Sequence, residues 1–346
     1  MKLAINIGYN LGARLELPIN IIKRAEELGF DSVWSAETYG SDAFSPLAYI
    51  AAHTRSIRLC TGIAQLAART PANCAMIAQT IEELAGRGRI VVGLGLSGPQ
   101  IVEGWYGQPW GKPADRIRDY VAIMREVWRR EAPVSHDGPE ISLPYTGEGS
   151  TGLGKPLKSI LHGNPAIPVW LGTSTPGHIR LTAEIADGWL SMHFSPAGIA
   201  AGLKHIEQGL ARRDDERSLR DFEIAANLRL TVTDDVRGAL DEQKPAIALY
   251  VGGMGARGKN FHKDAMAQQG FADAAERIQE LFLAGHKAEA AAAVPDDYVD
   301  DASLVGPEPR IRERFQRWRE SGATMLRLAN PDIASVEVLS RIARQV

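Results

Sequence analysis

Short apolar runs recur along the chain and are separated by segments with helical periodicity. Eight such runs predict β-strands, over residues 3–8, 31–36, 57–64, 90–94, 168–171, 188–192, 223–233 and 323–328. The runs are nearly all apolar rather than alternating, as expected for strands that are buried on both faces. The pattern therefore predicts a buried parallel sheet.

Between the strands, apolar residues repeat three and four positions apart, which predicts amphipathic helices. These helices cover residues 18–28, 44–53, 113–130, 177–186, 197–212, 236–250, 307–321 and 333–346, and a further helix begins at Pro71. The clearest is 113–130, which has one apolar stripe and an otherwise charged surface. The stripe consists of Ile117, Tyr120, Val121, Met124, Val127 and Trp128.

Each predicted strand is followed by a helix, which is typical of βαβ units. An open, doubly wound α/β sheet remains possible. Eight evenly spread strands favour a closed (β/α)8 TIM barrel, formed by residues 1–346 as a single domain. In such a barrel, ligands bind where the strands end, so the segments that follow the strands are the candidate functional segments.

Two segments interrupt the alternation. The long loop after strand 4, about residues 131–166, is rich in glycine and proline around TGEGSTGLG, and we expect it to be a flexible lid. The second segment, about residues 251–305, follows strand 7 and is expected to be a mostly helical insertion.

The composition narrows the functional classes. A net charge of -3 gives no electrostatic support for binding to nucleic acid or to an anionic membrane. Two cysteines, Cys60 and Cys74, are too few for a disulfide framework. No apolar run approaches the ~18 residues of a membrane helix. The start of the chain does not resemble a signal peptide, so we expect a cytoplasmic protein.

Residues 90–100, IVVGLGLSGPQ, contain Gly93, Gly95 and Gly98 in the spacing of a dinucleotide-binding fingerprint. That fingerprint normally follows the first strand and leads directly into a helix. An acidic residue at the end of the next strand then binds the ribose. Here it follows the fourth strand, and the acid at that distance, Asp119, lies within a helix. A Rossmann site is therefore disfavoured. Either the loop contacts another cofactor from the barrel mouth, or it is a tight turn without a ligand.

The segment Gly172–His178, GTSTPGH, joins a predicted strand to a predicted helix. Its hydroxyls, together with the free N–H groups and positive dipole end of the helix, suit a phosphate. Ordinary N-capping by Ser174 or Thr175 explains the same residues equally well.

The segment GMGARGK, residues 253–259, has the spacing of a Walker A motif, but Asn260 stands where Ser or Thr must bind magnesium. A Walker A loop follows a strand, whereas the residues before this segment are predicted to form a helix. A P-loop is therefore disfavoured, and two interpretations stay open. The segment is either a basic loop that holds an anionic tail or a solvated surface loop.

The other chemistry-bearing residues give weaker signals. The histidines and cysteines are not spaced as metal ligands usually are, so no metal site is predicted. The sequence also lacks the G-x-S-x-G motif that carries a nucleophilic serine. Glu37 follows the second strand and could be a site carboxylate or a cap for a neighbouring helix. Five aromatic residues in predicted strand-end loops together suggest an apolar pocket for a flat ring. They are Tyr9, Tyr39, Trp105, Tyr106 and Trp110.

Several longer stretches resemble the luciferase-like monooxygenase superfamily, and two of them resemble its deazaflavin (coenzyme F420)-dependent oxidoreductases. The stretches are RAEELGFDSVW (24–34), LCTGIA (59–64), RIVVGLGLSGPQIVEGWYGQPWGKP (89–113), PVWLGTSTPGHIRLTAEIADGWL (168–190) and YVGGMGARGKNF (250–261). The resemblance covers almost the whole chain and implies a (β/α)8 barrel that binds a flavin or coenzyme F420.

The resemblance also implies roles for particular positions. Glu37 and Thr38 would neighbour the reactive ring, although threonine replaces the histidine of several relatives. A non-prolyl cis peptide would join Gly62 and Ile63. The cofactor-binding residues would back the ring, contact its side chain or edge, and hold its phosphate. They are Thr61, Gly62, Ile63 and Ala64, then Ser97, Gly98 and Gln100, then Gly172, Thr173, Ser174 and Gly177.

The implied activity is hydride transfer between coenzyme F420 and a small organic substrate, with a proton from Glu37, Tyr9 or solvent. One alternative is an FMN-dependent monooxygenase, which would need a separate reductase partner. A second alternative is a barrel that binds flavin or deazaflavin without catalysis. The resemblance further implies a homodimer formed through the helices that flank the early strands.

Overall fold

The computed structural model describes residues 1–8, 13–192, 195–255, 258 and 260–345. Its strands, numbered in chain order, are β1 (Lys2–Gly8), β2 (Ser32–Ser35), β3 (Arg58–Thr61), β4 (Ala64–Gln65), β5 (Ile90–Gly95), β6 (His136–Asp137), β7 (Ser142–Leu143), β8 (Val169–Thr173), β9 (Gly188–Ser191), β10 (Glu223–Val232), β11 (Ser303–Gly306) and β12 (Met325–Ala329). The parallel strands β1, β2, β3, β5, β8, β9, β10 and β12 pair in that order, and β12 closes on β1. The predicted (β/α)8 TIM barrel is confirmed.

The helices surround the barrel. They are α1 (Ile19–Glu27), α2 (Ser45–Ala51), α3 (Pro71–Ala85), α4 (Pro99–Val102), α5 (Pro113–Arg129), α6 (Pro176–Ile185), α7 (Pro196–Leu210), α8 (Val236–Asp241), α9 (Lys244–Gly253), α10 (Phe261–Met266), α11 (Ala272–Leu283), α12 (Lys287–Ala292), α13 (Asp296–Asp301), α14 (Glu308–Glu320) and α15 (Ile333–Gln345). A proline in the first turn begins α3, α5, α6 and α7, where its missing N–H costs no intrahelical hydrogen bond.

Two apolar layers hold the barrel together. The outward side chains of the strands, such as Ile5 and Val92, pack against the helices in the main core. The inward side chains form a smaller core inside the barrel. That inner core contains Ala4, Trp34, Cys60, Val91, Trp170, Leu190, Ala225 and Met325. The barrel is therefore filled below its mouth, as is usual for this fold.

Charged side chains close the barrel at the amino-terminal ends of the strands. Arg58 Nη2 lies 2.6 Å from Asp31 and 3.1 Å from Glu223, and Lys2 Nζ lies 2.9 Å from Glu223. This network seals the end opposite to the expected ligand site.

Three predicted elements differ from the structure. The strand 57–64 is split into β3 and β4, because the chain bulges at residues 61–63. The single helix 236–250 is two helices, α8 and α9, and α9 begins beside Pro245, which cannot donate an N–H to a continuous helix. The described part of the segment 251–305 is mostly helical, as predicted, but it also contains the unpredicted strand β11, which pairs with the end of β10.

The segment 131–166 lies against the outer helices α3 and α5. Asp119 on α5 accepts hydrogen bonds from the N–H groups of Glu140 (2.8 Å) and Ile141 (2.9 Å), which fixes the β6–β7 hairpin. Arg130 Nε donates to the carbonyl of Ser159 at 2.6 Å. Because residues 145–158 are exposed, the lid role stays a prediction that concerns mainly this central stretch.

No helix in the described ranges is both long and apolar enough to cross a lipid bilayer.

Candidate active site at the barrel mouth

The floor of the mouth is a bulge in the third barrel strand. The strands β3 and β5 pair up to Cys60 and Val91, and pairing resumes between Ala64 and Leu94. Between these points, the hydroxyl of Thr61 donates to the carbonyl of Gly93 (2.8 Å) and accepts from its N–H (2.8 Å). One buried side chain thus satisfies both backbone groups that the bulge would leave unpaired.

The peptide between Gly62 and Ile63 is cis, as the resemblance implies. Gly62 and Ile63 are partly exposed, whereas Thr61 and Ala64 are buried. Of these four residues, the middle two therefore face the open mouth.

Close packing against this bulge explains the glycine fingerprint. A Cβ on Gly93 would lie 2.0 Å from the carbonyl oxygen of Thr61, and a Cβ on Gly95 would lie 2.8 Å from Cγ1 of Ile63. Both positions therefore require glycine for steric reasons, without any phosphate. A dinucleotide-binding fingerprint would also lead into a full-length helix. The helix that follows here, α4, has only four residues, which agrees with the rejection of a Rossmann site.

The predicted site residues lie on neighbouring strand ends. Gln65 pairs with Gly95, Gly95 pairs with Gly172, and Gly172 pairs with Leu190. This register brings the segments 61–65, 95–100 and 172–177 side by side at one rim. Glu37 and Thr38 follow β2, the strand that precedes β3 in the barrel. The predicted residues therefore lie at the carboxyl ends of four neighbouring barrel strands, β2, β3, β5 and β8.

Ser97 has an unusual backbone conformation at this rim. Its φ of 61° lies in the left-handed region, which residues other than glycine rarely adopt outside functional sites and turns. Gly98 follows as the N-cap of α4, and Gln100 is exposed on that helix. The hydroxyl of Ser97 has no hydrogen-bond partner among the described residues and is available to a ligand.

Glu37 is a buried carboxylate that is fully engaged. It accepts hydrogen bonds from Gln65 N (2.6 Å), Ala43 N (3.1 Å) and both terminal nitrogens of Arg69 (2.9 and 2.7 Å). Burial alone would lower the pKa of Arg69, but the hydrogen bond and the charge of Glu37, with smaller contributions from Cys74 and Tyr120, together raise it. The pair ties the loop after β2 to the segment after β4.

The loops after β2 and β5 also meet at the mouth. Tyr106 donates its hydroxyl to the carbonyl of Thr38 at 3.2 Å, and burial raises the pKa of this phenol. The rings of Tyr39 and Trp105 pack edge to face with centroids 6.4 Å apart, and both are more than half exposed (58% and 61%). These aromatics form an open wall rather than an enclosed pocket.

The segment Gly172–Gly177 joins β8 to α6. Thr175 is the N-cap of α6 and accepts from His178 N at 3.4 Å. The Thr173 hydroxyl is buried against the Thr182 hydroxyl at 2.8 Å, so it is not directed at a ligand. Ser174 is half-buried, and its hydroxyl has no partner in the described part of the chain.

Arg180 supplies a positive charge at this helix start. Its Nη2 would lie 3.9 Å from a Cβ on Gly177, and the described residues offer this guanidinium neither an ion pair nor a hydrogen bond. Burial lowers the pKa of the neighbouring His178, which favours its neutral form. An unpaired guanidinium beside a free hydroxyl and a helix N-terminus suits an anionic group.

Sequence reasoning missed three arginines at or below the mouth: Arg69, Arg180 and Arg327. Arg180 follows Gly177 by three positions on a predicted helix, so helical spacing could have placed it at the helix start. Arg69 and Arg327 give no local signal, since their positions depend on contacts with distant segments.

Two other sequence interpretations can be assessed in part. Tyr9, a candidate proton donor, lies outside the described residues, as do Ala256, Arg257 and Lys259 of the Walker-like segment. Asn260 is buried, caps α10 by accepting from His262 N (2.9 Å), and donates to the carbonyl of Val251 (2.7 Å). This structural role explains why asparagine stands there.

No cluster of histidine, cysteine, aspartate and glutamate that could hold a metal ion occurs within the described ranges.

Comparison with known proteins gives concordant results over most of the chain. The family model described as luciferase-like monooxygenase matches residues 8–325. A Mycobacterium tuberculosis protein named "Putative coenzyme F420-dependent oxidoreductase Rv3520c" is 45% identical over 327 residues, which is 94% of this chain and 94% of that protein. A 5,10-methylenetetrahydromethanopterin reductase of Archaeoglobus fulgidus is 28% identical over 311 residues, covering 90% of this chain and 88% of that protein.

Among solved structures, the coenzyme F420-dependent tetrahydromethanopterin reductase from Methanopyrus kandleri is similar in fold. Its TM-score is 0.79 at 22% identity, and the match covers 98% of this chain and 97% of that one. At this identity the likeness concerns the fold alone.

Proposed function

Because the chain belongs to the luciferase-like monooxygenase family, we propose that it is a coenzyme F420-dependent oxidoreductase that transfers hydride between this cofactor and a small organic substrate. The name of the 45% identical relative, which matches 94% of both chains, supports the choice of cofactor. The observation that carries the proposal is the rim itself, where an open floor at Gly62 and Ile63 adjoins uncommitted polar groups at Ser174 and Arg180.

The residues at the mouth fit both parts of such a cofactor. A flat ring needs an apolar surface without projecting polar groups, and the partly exposed Ile63 side chain offers one. An acidic tail needs donors and positive charge, which Ser174, the start of α6 and Arg180 supply. We therefore expect residues 61–64 to back the ring and residues 97–100 to contact its edge. The phosphate would be held by the backbone of residues 172–177, the Ser174 hydroxyl and Arg180, and not by the Thr173 hydroxyl, which is bonded to Thr182.

When bound, the deazaflavin supplies a ring carbon that accepts or releases hydride. The protein orients the two reactants and excludes water from them. Glu37 would contribute indirectly to this orientation, because its four hydrogen bonds fix the loops that surround the floor. A proton donor role for Glu37 would require it to give up its contact with Arg69, so we favour solvent or Tyr9 as the proton source.

Turnover assays separate this function from its alternatives. Reduced coenzyme F420 should be oxidised by an organic acceptor at the same rate with and without oxygen. Reduced FMN should not support oxygen-dependent hydroxylation. Tight cofactor binding with no turnover across a broad acceptor panel would instead indicate the non-catalytic barrel, and oxygen-dependent FMN chemistry would indicate the monooxygenase and its reductase partner.

Charge substitutions test the proposed phosphate contacts. Ser174→Asp places a negative charge at the phosphate and should weaken cofactor binding about 10- to 100-fold, whereas Ser174→Ala should weaken it much less. Arg180→Gln should weaken binding and reduce its salt dependence. Arg237, whose side chain is 78% exposed on α8, provides the matched control, so Arg237→Gln should bind normally. Unchanged affinity in Ser174→Asp would remove this segment from the site.

We further propose a homodimer that uses α2 and α3. Three large apolar side chains are exposed on these helices: Tyr49, Met76 and Leu84. Exposed apolar side chains that cluster on one surface are characteristic of protein interfaces. Light scattering of the wild type and of Met76→Glu should give dimer and monomer masses, respectively.

A further inference from the structure

Arg327 is a buried arginine that has no anionic partner among the residues that the structure describes. It lies on β12, points into the barrel and is 3% exposed. Its guanidinium lies over the indole of Trp34, with Cζ 4.8 Å from the ring centroid. Its Nε and Nη1 atoms are buried and donate no hydrogen bond to any of the described residues.

Two other shielded arginines of this barrel, Arg89 and Arg58, have partners for their guanidinium groups. Arg89 donates to the carbonyls of Ile57 (3.1 Å) and Ala85 (3.0 Å) and to the hydroxyl of Thr54 (2.7 Å). Arg58 pairs with two carboxylates at the opposite end of the barrel. Since buried charges are normally paired, Arg327 calls for a compensating group that the described part of the chain does not supply.

The position of the guanidinium indicates where that group would lie. A Cβ on Gly62 would be 2.6 Å from Nη1 of Arg327 and 2.8 Å from Cε3 of Trp34. The cation therefore lies against Gly62, which together with Ile63 forms the partly exposed floor of the mouth. One peptide separates the charge from a ligand on that floor.

Arg327 keeps its charge in this position. Burial lowers its pKa to about 10, which still leaves it protonated at neutral pH. Cys60, which interacts electrostatically with Arg327, does not neutralise it, because burial raises the pKa of this thiol and keeps it uncharged.

We propose that Arg327 is a positioning residue that acts through the Gly62–Ile63 peptide to stabilise negative charge on the ring bound against that peptide. The proposal rests on the proposed function. Hydride carries one proton and two electrons, so the substrate is oxidised and the ring is reduced. The ring then bears one additional negative charge until a ring nitrogen takes up a proton from solvent. Arg327 therefore makes the protein bind the reduced cofactor more tightly than the oxidised one.

The test compares the dissociation constants of the two redox forms. Anaerobic fluorescence titrations of oxidised and reduced coenzyme F420 should show tighter binding of the reduced form by the wild-type protein. Arg327→Gln should weaken binding of the reduced form about tenfold more than that of the oxidised form. This change corresponds to a potential about 30 mV lower for the bound two-electron couple.

Two variants distinguish charge from packing. Arg327→Lys retains the charge and should keep the preference for the reduced form. Cys60→Ala alters the same part of the barrel interior without removing a charge and should leave the ratio unchanged. Equal weakening of both redox forms in Arg327→Gln would overturn the proposal. If that variant does not fold, equal affinity of the wild type for both forms would overturn it as well.

Failure of the proposed function is visible separately. If the wild type binds FMN and no coenzyme F420, the proposed function is wrong, and the same ratio measured with FMN decides the role of Arg327. If it binds neither, both proposals are wrong.

Discussion

The most instructive substitution at the floor of the site is Thr61→Val. Valine has nearly the shape of threonine and removes only the hydroxyl that bridges to Gly93. That hydroxyl makes two hydrogen bonds of 2.8 Å, one to the carbonyl and one from the N–H of Gly93. Thr61 and Gly93 are both buried, so water cannot replace the lost partner.

The expected cost follows from these two bonds. An unpaired buried polar group costs about 1–3 kcal/mol, so two such groups cost about 2–6 kcal/mol. A protein of ordinary stability has about 5–15 kcal/mol of unfolding free energy. The substitution should therefore remove a substantial part of it. It should also loosen the bulge at Gly62 and Ile63 and weaken cofactor binding.

Equilibrium urea unfolding followed by circular dichroism measures the first effect, and cofactor titration measures the second. Thr80→Val is the matched control, since the Thr80 hydroxyl donates to the Met76 carbonyl at 2.8 Å on an exposed helix face. Water can replace that bond, so the control should change the free energy of unfolding by at most about 0.5 kcal/mol. If Thr61→Val is no less stable than Thr80→Val, the bridging role of Thr61 is wrong.

Three further predictions concern buried groups. Arg69→Met leaves the Glu37 carboxylate buried without its cation and should lower the unfolding free energy by about 3–5 kcal/mol; a loss below about 1 kcal/mol would contradict the importance of the pair. Gly95→Ala forces Ile63 to move and should lower the unfolding free energy measured in urea by about 1–3 kcal/mol; a loss below about 0.5 kcal/mol would contradict the steric requirement for glycine. Burial lowers the pKa of His262 from 6.5 to about 4. The unfolded chain therefore binds this proton first, and stability should fall by about 3 kcal/mol as the pH drops from 6.5 to 4. His262→Asn should lose this part of the pH dependence, and an identical slope in both proteins would refute the assignment.

The barrel can be predicted from the sequence because the apolar patterns of strands and helices are local. Eight apolar runs, separated by helices, identify the barrel strands. The N-cap of α6 is equally local, since Thr175 lies in the segment for which capping is one of the two interpretations. The apolar pattern predicts an unbroken third strand, and only the family resemblance implies an interruption at Gly62 and Ile63. The split depends on Thr61 bonding to Gly93, which is 32 positions away in the chain.

The electrostatics of the site were largely unpredictable for the same reason. Glu37 pairs with Arg69 across 32 positions, and Arg327 reaches Gly62 from the last strand of the barrel. Neither contact can be recognised from the periodicity or the composition of the sequence. The fingerprint at Gly93 and Gly95 illustrates the converse, since a motif associated with phosphate binding arises here from the steric demands of an adjacent bulge.

Side-by-side titration of the purified protein with coenzyme F420 and with FMN tests the central claim most directly. We predict saturable, tight binding of coenzyme F420 that is weakened by Ser174→Asp and by added salt, together with weak binding of FMN. Tight binding of FMN with no measurable affinity for coenzyme F420 would contradict the account.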